Sequence, residues 1–188
     1  MASSKKNLYK VVIIGESGVG KTSLINQYVN EKFTQQYRAT VGADFMAKDV
    51  VVDDRSVTLQ IWDTAGQERF QSLGGAFYRG SNCCVIVYDI TKASSFEALD
   101  QWRDDFMEQA GLKEGEDFPF VILGNKCDLE TERKVPADKA KVWAKNHGGL
   151  KTFEISAKDS TGVEEAFVEI AKQAASHQKE DDVYFPVT

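Results

Sequence analysis

The sequence predicts an α/β protein: a six-stranded, mostly parallel sheet with one antiparallel edge strand and about five helices distributed over both faces. Three observations predict it. Six apolar or β-branched runs, at residues 8–14, 49–52, 57–63, 83–89, 118–124 and 152–155, alternate with helical patterns, the rhythm of a doubly wound sheet. Only Asp53-Asp54-Arg55-Ser56 separates the second run from the third. That is too short for a crossover, so these two strands pair as an antiparallel hairpin at the edge. The 188 residues suit one domain, which buries about 70% of its unfolded surface at this size.

The elements follow in order. The first run leads straight into Gly15-Glu16-Ser17-Gly18-Val19-Gly20-Lys21-Thr22, which fits the phosphate-loop pattern G-x-x-x-x-G-K-[ST], and residues 23–29 read as the helix behind it. Glycines without a Cβ let backbone N–H groups curl around a polyphosphate, and the helix start adds partial positive charge. Ser17, Gly18, Val19, Gly20, Lys21, Thr22 and Ser23 are therefore the candidate cradle. Lys21 reaches the outer phosphates as a candidate catalytic group, and the Thr22 hydroxyl is offered to Mg²⁺. Farther on, Ser94-Ser95-Phe96-Glu97 and Thr161-Gly162-Val163-Glu164 read as capping boxes opening helices to about 110 and about 175. Pro136 suits a first helical position, and Gly148-Gly149 stop that helix after His147. The expected plan is an N-terminal extension at 1–7, a nucleotide-binding domain at 8–176 and a frayed tail starting at 177–188.

Composition narrows the function. A net charge of −6 and a pI near 5.0 argue against nucleic-acid binding, which needs clustered Lys and Arg. Cys83, Cys84 and Cys127 are an odd set, no signal peptide precedes them, and no apolar span is long enough for a membrane, so the expected compartment is the cytoplasm. The isolated His147 and His177 receive no metal or catalytic role. The acidic helix carrying Asp100, Asp104, Asp105 and Glu108 reads as a solvated face.

In doubly wound sheets, ligands bind beyond the carboxyl ends of the strands. Four such ends converge here. Besides the phosphate loop they carry Asp63-Thr64-Ala65-Gly66-Gln67, Asn125-Lys126-Cys127-Asp128 and Ser156-Ala157-Lys158. Asp63 ends an apolar strand, where a carboxylate is costly without a cation, and Mg²⁺ held through water supplies one. Gly66 frees a backbone N–H for a terminal phosphate, and the Gln67 amide both donates and accepts, as orienting an attacking water requires. The Asp128 carboxylate can accept two hydrogen bonds from neighbouring N–H groups on a guanine edge, a pair adenine lacks. Lys126 and Lys158 can lay their stems along the base, and the Ala157 N–H can meet the guanine carbonyl. The set favours GTP over ATP.

These motifs resemble the small monomeric GTPases across residues 10–175. Val41-Gly42-Ala43-Asp44-Phe45, the run from Leu59 through Trp62-Asp63-Thr64-Ala65-Gly66-Gln67 to Phe70, Tyr78-Arg79-Gly80 and Val87-Tyr88-Asp89-Ile90-Thr91 resemble Rab signatures. The stretch Asn26-Gln27-Tyr28-Val29-Asn30 and the run from Asp117 to Lys126 resemble the late-endosomal and lysosomal Rabs. The resemblance implies the small G-protein fold and a GTP/GDP switch in vesicle traffic, cytoplasmic and peripheral on late endosomes or lysosomes. It implies that Thr40 completes the Mg²⁺ shell, Phe33 flanks the base and Tyr37 closes over the phosphates. It further implies that Phe45, Trp62 and Phe77 form the surface effectors read, and that an exchange factor, a GTPase-activating protein, a GDP-dissociation inhibitor and effectors are partners. Without the resemblance, all three aromatics read as core.

Rabs end in prenylated cysteines, and this sequence stops at Thr188 without one, so the expectation is a shortened tail. Arg38 near Thr40 is the weaker candidate for an internal arginine finger, since fingers usually belong to dedicated sites or another protein. Hydrolysis without one is slow, on the order of 10⁻⁴ to 10⁻³ s⁻¹. The alternative from another class is an ATP-dependent P-loop kinase of a small acceptor. Asn125 to Asp128 and the short loops argue against it.

Overall fold

A computed structural model describes residues 7–31, 44–64 and 74–177. Phe33, Tyr37, Arg38, Thr40, Gly66 and Gln67 lie outside the described residues.

The chain runs β1 (Asn7–Ile14), α1 (Lys21–Asn30), β2 (Asp44–Val52), β3 (Arg55–Asp63), α2 (Gly74–Tyr78), β4 (Cys83–Asp89), α3 (Ala93–Glu97), α4 (Leu99–Gln109), β5 (Phe120–Asn125), α5 (Ala137–Asn146), β6 (Lys151–Glu154) and α6 (Val163–Ser176). Among the described residues α3 and α4 are two segments of one rod interrupted at Ala98, which gives five helical units. The sheet order is β2-β3-β1-β4-β5-β6. β2 and β3 are antiparallel, and every other pair is parallel. The order reverses at β1, so the crevice beyond Ile14 is the topological switch point where such sheets bind ligands.

Alternation of side chains sorts the strands into two cores. Val11, Ile13, Val85 and Val87 pack with Leu24 and Tyr28 of α1 and Phe167 and Ile170 of α6. Val12, Ile14, Ile86 and Tyr88 pack on the other face with Phe96, Phe106 and Ala140. This is the period of two expected of a sheet buried on both sides. Tyr28 stacks on Phe167 with ring centroids 3.8 Å apart, joining α1 to α6.

Four local readings need correction. β2 extends back to Asp44, because its exposed Phe45, Ala47, Asp49 and Val51 alternate with half-buried Met46, Lys48 and Val50 in an edge pattern with no apolar run. The hairpin turn is only Asp53-Asp54, both in the left-handed region (φ 49° and 62°), the geometry of a two-residue turn matched to strand twist. Neither capping box forms. Lys92 and the left-handed Gly162 occupy the cap positions, without side-chain cap bonds. Ser95 Oγ instead donates to the Lys92 carbonyl and accepts from the Asp89 N–H, while the Thr161 hydroxyl donates to Asp159. Pro136 sits one position before α5, as its cap.

Candidate nucleotide site

The loop after β1 is shaped by two glycines whose replacement has no room. Gly15 (φ 145°) lies against the Val87 carbonyl and Gly20 (φ 99°) against the Asn125 side-chain amide, and a Cβ at either would collide. Gly20 caps α1, and the Leu24 N–H returns to its carbonyl at 2.9 Å. Lys21 is 6% exposed. Its Nζ donates to the Gly15 and Glu16 carbonyls, both at 2.7 Å, which points the ammonium into the loop. Burial pushes its pKa down to about 8 against the opposing pull of Asp63 and Glu16.

Beside it, the Thr22 hydroxyl donates to Asp63 Oδ2 at 2.5 Å. Asp63 is buried at the end of β3, and the Thr64 hydroxyl ties that end to the Ile13 carbonyl at 2.7 Å. Two hard oxygen donors thus meet next to a buried cation. Ser17, Gly18, Val19 and Ser23 lie in the same loop and first turn, with Val19 buried and Gly18 open to solvent.

The opposite wall is built by Asn125, 1% exposed at the end of β5. Its amide donates to the Val19 carbonyl at 2.9 Å, and its carbonyl accepts the Ala157 N–H at 3.1 Å. Asn125 therefore clamps the phosphate loop to the loop after β6, and the Ala157 N–H expected on guanine has a protein acceptor. Lys126, held at φ 68°, donates to the Gly18 carbonyl at 3.0 Å and pairs with Asp89 at 2.9 Å. Its stem so lies across the mouth of the loop. Asp128 accepts from buried Ser156 Oγ at 2.8 Å, and the carboxylate is exposed on the same side. Lys158 is exposed beyond Ala157. Of the predicted nucleotide residues in the described set, Lys21, Thr22, Asp63, Asn125, Lys126, Asp128 and Ser156 are tied into the loops at the carboxyl ends of the strands by these bonds; Asn125 and Ser156 take part by holding the walls.

The sequence reading passed over Asp89. Its Oδ1 accepts from the Thr91 N–H and hydroxyl at 2.8 and 2.7 Å, leaving Oδ2 for Lys126. The signal was available, since Asp89 ends the apolar β4 run just as Asp63 ends β3.

On the far side of β3, Trp62 stands 5.0 Å from Phe45 and 5.5 Å from Phe77 between ring centroids. Phe45 is 49% exposed, whereas Trp62 and Phe77 are half-buried and pack against the second core, so the row runs from the core edge to the surface and the core reading holds in part for two of the three.

Residues 10–176 match the model of the Ras family. The chain belongs to the Ras family. It is similar to the Ras-related protein Rab-7a of Paramecium octaurelia, 66% identical over 188 residues and covering all of this chain and 91% of the relative. It is similar also to Rab-7a of Dictyostelium discoideum, at 58% over all of this chain and 91% of the relative. The GTP-binding protein YPTC5 of Chlamydomonas reinhardtii is 54% identical over 99% of this chain and 91% of that protein. This Ras-family chain is thus a Rab-type small GTPase, a guanine-nucleotide enzyme that hydrolyses GTP, and the P-loop kinase alternative finds no support. Among the described residues, no helix is long and apolar enough to cross a membrane.

Proposed function

We propose that the chain is a GTP/GDP switch of late-endosomal and lysosomal traffic whose 8–176 domain recruits effectors when GTP-bound and resets by slow hydrolysis. The observation that carries the chemistry is the set of bonds at the strand ends: Lys21 to the phosphate-loop carbonyl of Gly15, Thr22 to Asp63, Asn125 and Lys126 to the phosphate-loop carbonyls of Val19 and Gly18, and Ser156 to Asp128.

The donor set fits Mg²⁺. Thr22 Oγ1 and Asp63 Oδ2 are hard oxygens on one side of the loop, and a shell of few protein ligands completed by water and phosphate oxygens is what this ion prefers. Thr22, Asp63 and, from the sequence, Thr40 would hold it. When bound, Mg²⁺ would supply positive charge to offset the negative charge that develops on the phosphates. Lys21 holds a positive charge at the phosphates from a nearly water-free position, where it acts with little screening. Gly66 donates its N–H to the terminal phosphate, and Gln67 orients the attacking water. Asp128 accepts from the guanine N–H edge, while Lys126 and Lys158 sandwich the base and Phe33 and Tyr37 close the site.

Phe45, Trp62 and Phe77 are the surface an effector reads. An exchange factor, an activating protein that inserts an arginine and a GDP-dissociation inhibitor are the regulators; the arginine adds about 10³ to 10⁵ in rate. Membrane attachment is peripheral, through a C-terminal lipid. The test is pull-down of intact late-endosomal effectors with GTP-loaded and GDP-loaded protein. GTP-selective capture lost in Phe45→Ala supports the reading, and nucleotide-independent capture contradicts it.

A further inference from the structure

Beyond the residues of the site, one ionic cluster holds its base end together. Arg133 follows the short 3-10 turn Glu130–Glu132, and its guanidinium has all five N–H groups engaged. Nη1 and Nη2 meet Glu154 Oε2 and Oε1 in a bidentate pair, both at 2.7 Å. Nη1 also donates to the Val135 carbonyl at 2.8 Å, while Nε and Nη2 meet Glu130 at 2.8 to 3.0 Å. The Arg133 side chain is 18% exposed and Glu154 28%, against 68% for Glu130. The Glu154 pair is therefore the sheltered, geometrically specific half of the cluster, and the Glu130 pair its solvated half.

The position of Glu154 gives the cluster its meaning. Glu154 lies two residues before Ser156 and stands opposite Gly124 in the β5–β6 register; Gly124 is the residue before Asn125, where the base-reading turn begins. The Cys127 N–H bonds to the Ile155 carbonyl at 3.0 Å, and the Leu129 N–H to the Lys126 carbonyl at 2.9 Å. Asp128 is thus held at one end by Ser156 and at the other by a segment that Arg133 pins back to the same strand end.

Resting on the reading that Asp128 recognises guanine, we infer that Arg133 and Glu154 form a positioning clamp that sets base specificity by fixing the Asp128 loop against the end of β6. Neither residue is among those the reading places on the nucleotide. Their contribution is to keep the carboxylate where the guanine amino group and ring N–H both reach it. Inosine nucleotides lack that amino group and keep the ring N–H, so they report the alignment alone.

The experiment measures GDP and IDP dissociation constants, with Mg²⁺ present, for the unaltered protein, Arg133→Lys and Glu154→Gln. A charge-assisted hydrogen bond gives the unaltered protein a preference for GDP of roughly 10- to 100-fold. Both variants are expected to narrow that ratio by at least about threefold, because a single-point ammonium or a neutral amide cannot reproduce the bidentate fork. Equal weakening of GDP and IDP, with the ratio intact, would show that the pair only stabilises the fold and overturns the clamp. If Arg133→Lys does not fold, Glu154→Gln alone decides by the same ratio. Equal affinities of the unaltered protein for the two nucleotides would overturn the Asp128 reading and the clamp with it. Discrimination preserved in the variants would overturn the clamp alone.

Discussion

Replacing Asn125 with alanine tests the wall of the crevice most sharply, because this side chain joins two loops and is 1% exposed. The substitution breaks its bonds to the Val19 carbonyl at 2.9 Å and from the Ala157 N–H at 3.1 Å. Each severed buried group costs roughly 1–3 kcal/mol. Together, and allowing for overlap, the loss is about 2–5 kcal/mol, or about 30-fold and upward in nucleotide affinity. The assay is release of a fluorescent GDP analogue at fixed Mg²⁺, beside thermal denaturation with saturating GDP. Release should accelerate at least about 30-fold, and the melting temperature should fall chiefly through weaker ligand linkage. The hydrophobic clusters on both sheet faces do not include Asn125, so the fold should persist. A release rate within about twofold of the unaltered protein would refute the reasoning, since severed bonds of this kind cost more than that.

Other perturbations separate the remaining roles. Gln67→Leu should keep GTP affinity but reduce single-turnover hydrolysis with an activating partner by about 10² or more; unchanged turnover would remove Gln67 from water positioning. Thr22→Asn should weaken Mg²⁺-supported triphosphate binding more than diphosphate binding, read by titration with and without the ion, and equal losses would contradict metal ligation. Gly20→Ala should abolish tight nucleotide binding, because the left-handed φ of 99° and the Asn125 amide leave no room for a Cβ; retained affinity by equilibrium dialysis would show that the loop adapts.

The sheet was legible because β1, β3, β4 and β5 are apolar runs with polar stops, and the crevice because Asp63, Asn125 and, just past β6, Ser156 lie at strand ends. The edge strand was only half visible. Phe45 and Val51 face outward, so β2 lacks the continuous apolar signal of β4, whose seven residues are all buried. Cap signals failed where backbone geometry supplied an alternative, as at Gly162 with its left-handed φ. Asp89, Arg133 and Glu154 escaped notice for another reason. Their ion-pair partners are distant in sequence, Lys126 for Asp89 and Glu154 for Arg133, the latter 21 residues apart, so even where a strand-end position hinted at a role, as for Asp89, the clamp itself was not readable. Residue type reveals a chemical group, but topology decides what it meets.

The most direct measurement is the identity of the nucleotide retained by the purified protein, read by denaturing extraction and chromatography. Guanosine diphosphate or triphosphate at close to one per chain is the expected result. Stoichiometric adenine nucleotide, or tighter binding of ADP than of GDP after exchange, would contradict the account at its root.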